Sequence, residues 1–248
     1  MKQVVSFLQN IFARVWALWG LVTFIITFII ILIPSLFTSF IKDEKKSQAA
    51  FIYLSKVWMN IWLTLIACPI KVSGKENVDK NETYIFTCNH NSLLDAPITC
   101  PYIPGANKTI AKTSFAKIPI FGWYYKKGSI LVDRKSDASR RKSFDNMKKT
   151  LQQFIHVVIF PEGTRNRTSN PLKNFYDGAF KLSITTQTSI VPTLLFNSAK
   201  AMPHHKIFYL LPHQLEIRYL PPVSPKGLDV TALKEKVFAI MQDEFVKG

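Results

Sequence analysis

The sequence TYIFTCNHNSLLDAP at residues 83–97 combines a predicted buried strand with polar side chains directly after it. The run TYIFTC is rich in β-branched and aromatic residues, which favours a strand. His90 and Asp95 follow it, and five positions are too many for side chains to meet on a regular helix, where neighbours are three or four apart. We therefore expect a turn between strand and helix to bring them together, with Asp95 at the start of the helix.

Outward from this stretch, short β-rich runs alternate with helical patterns from Pro69 to the C-terminus. The predicted strands are TYIFTC, KTIAK, SILVDR, HVVIF, SIVPTLLF, KIFYLL and LEIRYL. The predicted helices are IPIFGWYYKKG, residues 136–155, DGAFKLSITTQT and a closing helix from Asp229, its N-cap. This alternation predicts an α/β fold with a mixed, mainly parallel sheet flanked by helices. In such sheets, functional sites lie at the carboxyl ends of the strands.

The N-terminal part is different, because no charged residue occurs between Arg14 and Lys42. The apolar run WALWGLVTFIITFIIILIPSLFTSFI is long enough to cross about 30 Å of hydrocarbon, with Pro34 a point at which a helix can kink or end. It is too long for a signal peptide and has no cleavage site of small residues. A second run, FIYLSKVWMNIWLTLIACPI, carries polar residues on one helical face and predicts an interfacial helix.

We therefore predict a membrane-anchoring hydrophobic two-helix motif at residues 1–70 and an α/β domain at residues 71–248. The pair of helices, joined by KDEKKSQAA, is compatible with one span plus an interfacial helix, or with a hairpin dipping into one leaflet. Basic residues flank both ends of the first run, so the positive-inside rule does not decide the topology. A buried helix pair in a soluble protein is the remaining alternative.

The charge balance indicates an anionic partner. Lys and Arg number 32 against 16 acidic residues, a formal net charge of +16. The chain has no helix-turn-helix, zinc-finger or RNA-binding signature, so an anionic bilayer is favoured over nucleic acid. Cys68, Cys88 and Cys100 have no paired spacing, which argues against a disulfide framework or zinc site and fits a reducing compartment.

Polar residues also follow two other predicted strands. GSILVDR ends in Asp133 and Arg134, and VVIFPEGTRNR leads from a strand into residues 161–165. A glycine lets a backbone approach a ligand closely, and an arginine fork suits phosphate or carboxylate. Imidazole titrates near pH ~6.5, so His90 can exchange a proton at neutral pH, with Asp95 orienting it. If these strands are neighbours, their ends form one site.

In their order, NHNSLLDAP, GSILVDR, VIFPEGTR and SIVPTLL resemble the four sequence blocks of the glycerolipid acyltransferase family. The similarity covers roughly residues 70–222 and is greatest to bacterial members that acylate 1-acyl-glycerol-3-phosphate. The resemblance implies that residues 71–248 are an acyltransferase domain. It would transfer a fatty acyl group from acyl-CoA or acyl carrier protein to the sn-2 hydroxyl of 1-acyl-glycerol-3-phosphate, giving phosphatidic acid. The resemblance also implies no covalent intermediate, metal or cofactor, and a bacterial inner membrane with the catalytic domain on the cytoplasmic side.

Roles for individual residues are implied as well. His90 would be the general base and Asp95 its orienting carboxylate. Separately, a tetrahedral oxyanion needs hydrogen-bond donors, and we expect them among the backbone amides near residues 91–95. The implied acceptor-binding positions are Lys112, Arg134, Glu162, Gly163, Thr164 and Arg165. The family commonly has Phe-Lys-x-Gly after the third block, whereas this chain has Phe175-Tyr176-Asp177-Gly178, with Lys173 nearby. That departure leaves the acceptor head group open.

Several alternatives remain at this point. Another lysolipid, such as a lyso-amino-acid lipid, would serve as acceptor without changing the chemistry. Cys88 lies two positions before His90 and is a possible covalent nucleophile. Ser92 lacks the G-x-S-x-G elbow of a hydrolase. The basic helix with Arg140, Arg141, Lys142, Lys148 and Lys149 suits anionic lipid, an acidic acyl carrier or plain solvent. A membrane-tethered binding protein for anionic lipid would need no catalysis at all.

Overall fold

A computed structural model describes residues 2–247 of the chain. The helices are α1 (Lys2–Phe37), α2 (Glu44–Leu65), α3 (Asp95–Tyr102), α4 (Phe121–Lys127), α5 (Asp137–Gln152), α6 (Gly178–Thr186), α7 (Ser198–Ala201) and α8 (Val230–Lys247). The strands are β1 (Ile70–Ser73), β2 (Ile85–Cys88), β3 (Asn107–Lys112), β4 (Ser129–Val132), β5 (His156–Ile159), β6 (Ile190–Phe196) and β7 (Leu215–Tyr219). Short 3-10 helices lie at Thr38–Phe40, Lys75–Asn77 and Thr113–Lys117.

The strands form one seven-stranded sheet in the order β1-β7-β6-β2-β5-β3-β4. Strands β6, β2, β5, β3 and β4 run parallel to one another. β7 pairs antiparallel with β6, and β1 pairs parallel with β7. The predicted mixed, mainly parallel α/β sheet is therefore confirmed.

Helices cover both faces of the sheet. Neighbouring strand residues point to opposite sides, and on β2 the residues on both sides are buried. On β2, Phe86 belongs to a buried cluster with side chains of α2 and α3, such as Trp58 and Ile98. Its neighbour Ile85 belongs to a second cluster with side chains of α5, α6 and α8. The α2 helix thus shares its core with the sheet.

Most predicted elements are present, one predicted strand is wrong, and one strand was missed. KIFYLL is not a strand: Tyr209 and Leu210 are buried, but the amide of Leu210 donates to the carbonyl of Ala13 in α1. An apolar run that packs against a helix needs no sheet partner. β1 was not predicted. The closing helix does begin as expected, since Asp229 Oδ1 accepts a hydrogen bond from the amide of Ala232.

The first two helices pack against each other. The indole N–H groups of Trp16 and Trp19 donate to the carbonyls of Ile66 and Leu65, and that of Trp62 donates to the carbonyl of Gly20. The link between the helices is shorter than predicted, because Asp43 caps α2 and the helix begins at Glu44.

Much of the apolar surface of α1 remains uncovered. The helix continues through Pro34 to Phe37. By length and composition, the stretch Gln3–Phe40 is able to cross a membrane, and only 33% of its most apolar window is buried. The predicted polar face of α2, including Tyr53, Asn60 and Thr64, is also exposed.

Candidate active site

The three turns singled out in the sequence lie at one edge of the sheet. β2, β5, β3 and β4 are consecutive neighbours and run parallel, so their carboxyl ends meet. The His90 turn follows β2 and the turn at residues 161–165 follows β5. Lys112 ends β3, and Arg134 follows β4. We call this edge the site edge.

His90 and Asp95 are in direct contact. Nδ1 of His90 lies 2.9 Å from Oδ2 of Asp95, the first residue of α3. The same oxygen accepts hydrogen bonds from the amides of Asn91, at 2.6 Å, and Ser92, at 2.7 Å. The carboxylate is fully buried, so these three donors fix its position. The turn predicted between strand and helix is therefore present.

Among the described residues, no group is hydrogen-bonded to the other ring nitrogen of His90, Nε2. A carboxylate acceptor at Nδ1 places the ring proton there, which leaves a lone pair on Nε2. The His90 side chain is 19% exposed, and its ring lies 4.6 Å from that of Phe160. The carbonyl of His90 accepts a 2.6 Å hydrogen bond from the amide of Asn166. The imidazole is thus held from several sides while keeping access to solvent.

Glu162 joins the first turn to the third. It is fully buried, and Oε1 accepts a 2.9 Å hydrogen bond from the amide of His90. Oε2 accepts one of 3.2 Å from the amide of Lys173. Burial raises the pKa of Glu162 to about 7, although these two amides and the Lys173 ammonium lower it and Asp95 raises it. Its contacts are those of a residue that positions the His90 turn.

Gly163 lies between Tyr176 and Arg134. Its φ of +72° is in the left-handed region, which costs glycine no strain. A Cβ at this position would lie 2.7 Å from Cε2 of Tyr176 and 3.8 Å from Nη1 of Arg134. The close approach of the Tyr176 ring therefore requires glycine here, and it brings the Arg134 guanidinium beside the third turn.

The remaining predicted positions surround this point. Thr164 is exposed, and its Oγ1 accepts a 2.9 Å hydrogen bond from Nζ of Lys173. Arg165 is half-buried in the same turn, and Lys112 is exposed at the end of β3. Across residues 2–247, the side chains of Lys112 and Arg165 make no hydrogen bond or ion pair to the other site residues. Lys112 and Arg165 therefore lie at the site edge without a direct contact to the His90 and Glu162 hydrogen bonds.

Three neighbouring residues were given no role by the sequence. The side-chain amide of Asn89 donates to the carbonyl of Leu195, and its Oδ1 accepts from the backbone amide of Leu195, which joins β2 to β6. Asn166 holds the His90 carbonyl, and Lys173 holds Glu162 and Thr164. Asn89 is the first residue of the block NHNSLLDAP, and Asn166 directly follows the block VIFPEGTR. A polar residue at these positions could have suggested a role in the site, but the sequence does not reveal its hydrogen-bond partners.

The structure argues against the rival nucleophiles. Cys88 is fully buried, and burial raises the pKa of its thiol well above the usual value. Ser92 is also buried, and its Oγ donates a 2.8 Å hydrogen bond to the carbonyl of Met202. Neither side chain is available to an acyl donor.

The expected oxyanion donors need a correction. The amides of Asn91 and Ser92 already donate to Asp95, and the amide of Leu94 donates to Ser92 Oγ. The expectation that the amides of residues 91–95 stabilise an oxyanion is therefore wrong for these three.

Comparison with known proteins gives consistent matches. A family model described as Acyltransferase matches residues 69–195, which is half of the 248-residue chain. A 1-acyl-sn-glycerol-3-phosphate acyltransferase of Borreliella burgdorferi is 28% identical over 209 residues, covering 78% of this chain and 77% of that protein. The 1-acyl-sn-glycerol-3-phosphate acyltransferase alpha of Homo sapiens is 32% identical over 180 residues, covering 70% and 62%. The chain spans 58 to 62% of the length of the first curated relatives.

A solved structure shares the fold. The crystal structure of the 1-acyl-sn-glycerophosphate (LPA) acyltransferase PlsC from Thermotoga maritima superposes with a TM-score of 0.80. The match covers 96% of both chains at 22% sequence identity. The similarity therefore extends over the N-terminal helices as well as the sheet.

Proposed function

The chain belongs to the Acyltransferase family, and we propose that it transfers a fatty acyl group to the sn-2 hydroxyl of 1-acyl-glycerol-3-phosphate. The product is phosphatidic acid. The observation that carries the proposal is the 2.9 Å contact between His90 Nδ1 and Asp95 Oδ2 at the edge where the family's blocks meet. The names of the relatives support this choice of acceptor.

The chemistry follows from the free Nε2 atom of His90. It takes the proton of the acceptor hydroxyl while that oxygen attacks the carbonyl carbon of the acyl thioester. Asp95 stabilises the imidazolium that forms. The tetrahedral intermediate collapses with loss of the thiolate, which receives the proton from His90. An ester and a free thiol result, and the protein forms no covalent bond to the acyl group.

Cations at the site edge match the acceptor phosphate. Arg134 lies beside Gly163, Arg165 follows in the same turn, and Lys112 ends the adjacent strand. A guanidinium fork suits phosphate oxygens better than an ammonium does. We assign the phosphate to these three side chains. Gly163 and Thr164 form part of the same turn, and the buried Glu162 holds the turn in place through its hydrogen bonds.

The acyl donor is a thioester of coenzyme A or of acyl carrier protein. Helix α5 begins next to the site edge, where the amide of Asp133 donates to Ser139 Oγ and Arg140 donates to the carbonyl of Arg134. Its basic residues Arg141 and Lys142 are exposed. Both donors carry negative charge, so both are compatible with this helix.

The acceptor is a lipid, and exposed apolar side chains around the site edge fit a membrane. The site edge carries the loop at residues 197–214, in which Ile207 is 86% exposed. Leu93 of the His90 turn and Ile118 and Ile120 after β3 are exposed there as well. The amide of Leu210 bonds to Ala13, so the apolar N-terminal half of α1 adjoins the same edge.

This arrangement supports an enzyme anchored by its N-terminal helices, with the site edge facing the lipid and the positive charge attracted to anionic head groups. Because both donors occur in the cytosol, we place the catalytic part on the cytoplasmic side of a bacterial inner membrane. The acceptor hydroxyl then reaches His90 without leaving the bilayer surface.

The test is acyl transfer by the detergent-purified protein. Lysophosphatidic acid is offered with acyl-CoA in one assay and with acyl carrier protein in another, beside other lysophospholipids and a lyso-amino-acid lipid. Phosphatidic acid as the main product supports the proposal and identifies the donor. Transfer confined to another lysolipid would replace the acceptor, and binding of anionic vesicles without any transfer would replace the enzyme by a lipid-binding protein.

A further inference from the structure

We propose that Lys173 supplies a further cation for the acceptor phosphate, in place of the lysine that is absent from position 176. This inference rests on the proposed function, because it needs a phosphate acceptor at the site edge. Lys173 belongs to none of the blocks that identify the family. The evidence for its role is its hydrogen bonds to Glu162 and Thr164.

Both ends of Lys173 are fixed at the third turn. Its amide donates to Glu162 Oε2 at 3.2 Å, and its Nζ donates to Thr164 Oγ1 at 2.9 Å. Glu162 also accepts the amide of His90, so the ammonium is attached to the same framework as the base. An ammonium has three N–H donors, and a neutral hydroxyl takes one of them here. Two donors remain for a ligand.

The neighbouring position 176 has no cation to offer. The tyrosine there is 66% exposed, and its ring lies against Gly163, where an added Cβ would meet Cε2 at 2.7 Å. Asp177 follows, and its carboxylate is paired with Lys234 at 2.7 Å. The segment after the third turn therefore delivers positive charge to the turn through Lys173, three positions earlier.

The cations at the third turn form no ion pair, and the acidic group next to them is the buried Glu162, whose pKa the Lys173 ammonium lowers. In the part of the chain that the structure describes, Arg134, Arg165 and Lys173 take part in no ion pair within 4.0 Å. Arg134 adjoins Gly163, Lys173 contacts Thr164, and Arg165 follows in the chain, so an anion bound at this turn would reduce the repulsion among the three charges. A phosphate monoester, with up to two negative charges and several acceptor oxygens, satisfies all three.

A structural role is the competing explanation, since the Lys173 ammonium also lowers the pKa of the buried Glu162. The two roles differ in what they affect. A phosphate contact acts on the acceptor KM, and a lysine at position 176, beside Arg134, should replace it. Balance of the Glu162 charge acts on kcat and stability, and a lysine at position 176 would not restore it.

The experiment measures kcat and KM for lysophosphatidic acid with the full-length protein in detergent, at a saturating donor concentration. Lys173→Met is expected to raise KM about tenfold with kcat within about twofold, as for one lost hydrogen bond to a charged group. Lys173→Arg should keep KM within about threefold. Lys226→Met, an exposed lysine near the opposite edge, is the matched control and should change neither constant.

The double variant Lys173→Met/Tyr176→Lys is expected to regain most of the lost affinity. An unchanged KM in Lys173→Met, a loss confined to kcat, or a double variant no better than the single one would overturn the inference while the proposed function stands. A wild type that makes no phosphatidic acid would overturn both.

Discussion

The amide of His90 donates a 2.9 Å hydrogen bond to Oε1 of Glu162, a residue 72 positions further along the chain. Through this bond, the turn that carries His90 is held by the turn at residues 161–165, which we propose binds the acceptor. The carbonyl of His90 accepts a hydrogen bond from the amide of Asn166, which directly follows the third turn. The backbone on both sides of the imidazole therefore depends on the third turn being correctly folded.

The first prediction concerns the pH dependence of stability. Burial raises the pKa of Glu162 to about 7 from 4.5. Between these values the folded protein keeps a proton that the unfolded chain has released, so the free energy of unfolding falls as pH rises. For one such group, the fall is at most about 1.4 kcal/mol for each unit of pH. Glu162→Gln does not titrate and lacks this slope.

The wild-type Tm, measured in one detergent from pH 4.5 to 8, should therefore fall relative to that of Glu162→Gln up to about pH 7. Above that pH the difference should be constant. The variant also loses one amide acceptor, which lowers its Tm by the same amount at every pH. Parallel curves through the whole range would contradict the buried, proton-holding carboxyl.

The second prediction isolates the charge of Asp95. Oδ2 accepts three hydrogen bonds, whereas the buried Oδ1 has no partner among the residues described. In Asp95→Asn, the amide nitrogen can take the Oδ1 position and leave the three bonds in place. The imidazolium then loses its counter-charge, and kcat should fall at least about 100-fold with little change in KM. A kcat within about tenfold of wild type would show that the charge is dispensable.

The third prediction tests Gly163, in the turn that we propose binds the acceptor. Gly163→Ala places a side chain at φ +72°, which costs about 1 kcal/mol, and drives Cβ against the Tyr176 ring. We expect a lower Tm and a higher acceptor KM. Combining Gly163→Ala with Tyr176→Ala should remove the clash with the ring and recover only that part of the lost stability. A double-mutant cycle measures this part. Additive effects of the two substitutions would mean that the ring and the turn do not touch.

The fourth prediction tests the orientation toward the membrane. Ile207→Glu puts a charge on an apolar side chain that is 86% exposed at the site edge. Activity on acceptor in vesicles should fall about tenfold, while activity on acceptor in detergent micelles changes less than about twofold. The matched control is Phe154→Glu, 63% exposed just before β5 at the opposite edge. Equal losses for both variants on vesicles would contradict this orientation.

Much of the site could be predicted because its signals are local. A strand followed within a few residues by His90, Arg134 or Gly163 predicts a cluster at one edge, and parallel strands bring such ends together. The Asp95 contact also needed only a turn and a helix start. These features depend on short stretches of sequence, and the structure contains each of them.

The parts that could not be predicted depend on contacts between distant turns. Nothing near Glu162 indicates that its partners are the amides of His90 and Lys173. KIFYLL has the composition of a strand, but in the structure Tyr209 and Leu210 are buried, with Leu210 against Gly20 of the N-terminal helix, whereas Ile207 and Phe208 stay exposed. An apolar composition indicates that some of these side chains will be buried, but it does not indicate whether a strand or a helix will cover them.

The most direct test of the central claim is the rate of His90→Ala beside wild type, with lysophosphatidic acid and the donor that the wild type uses. The mechanism predicts a kcat about 10² to 10⁴ lower, the usual contribution of a positioned general base. The acceptor KM should stay within about threefold, because the proposed phosphate contacts do not include His90. A His90→Ala variant that retains the wild-type kcat would contradict His90 as the base.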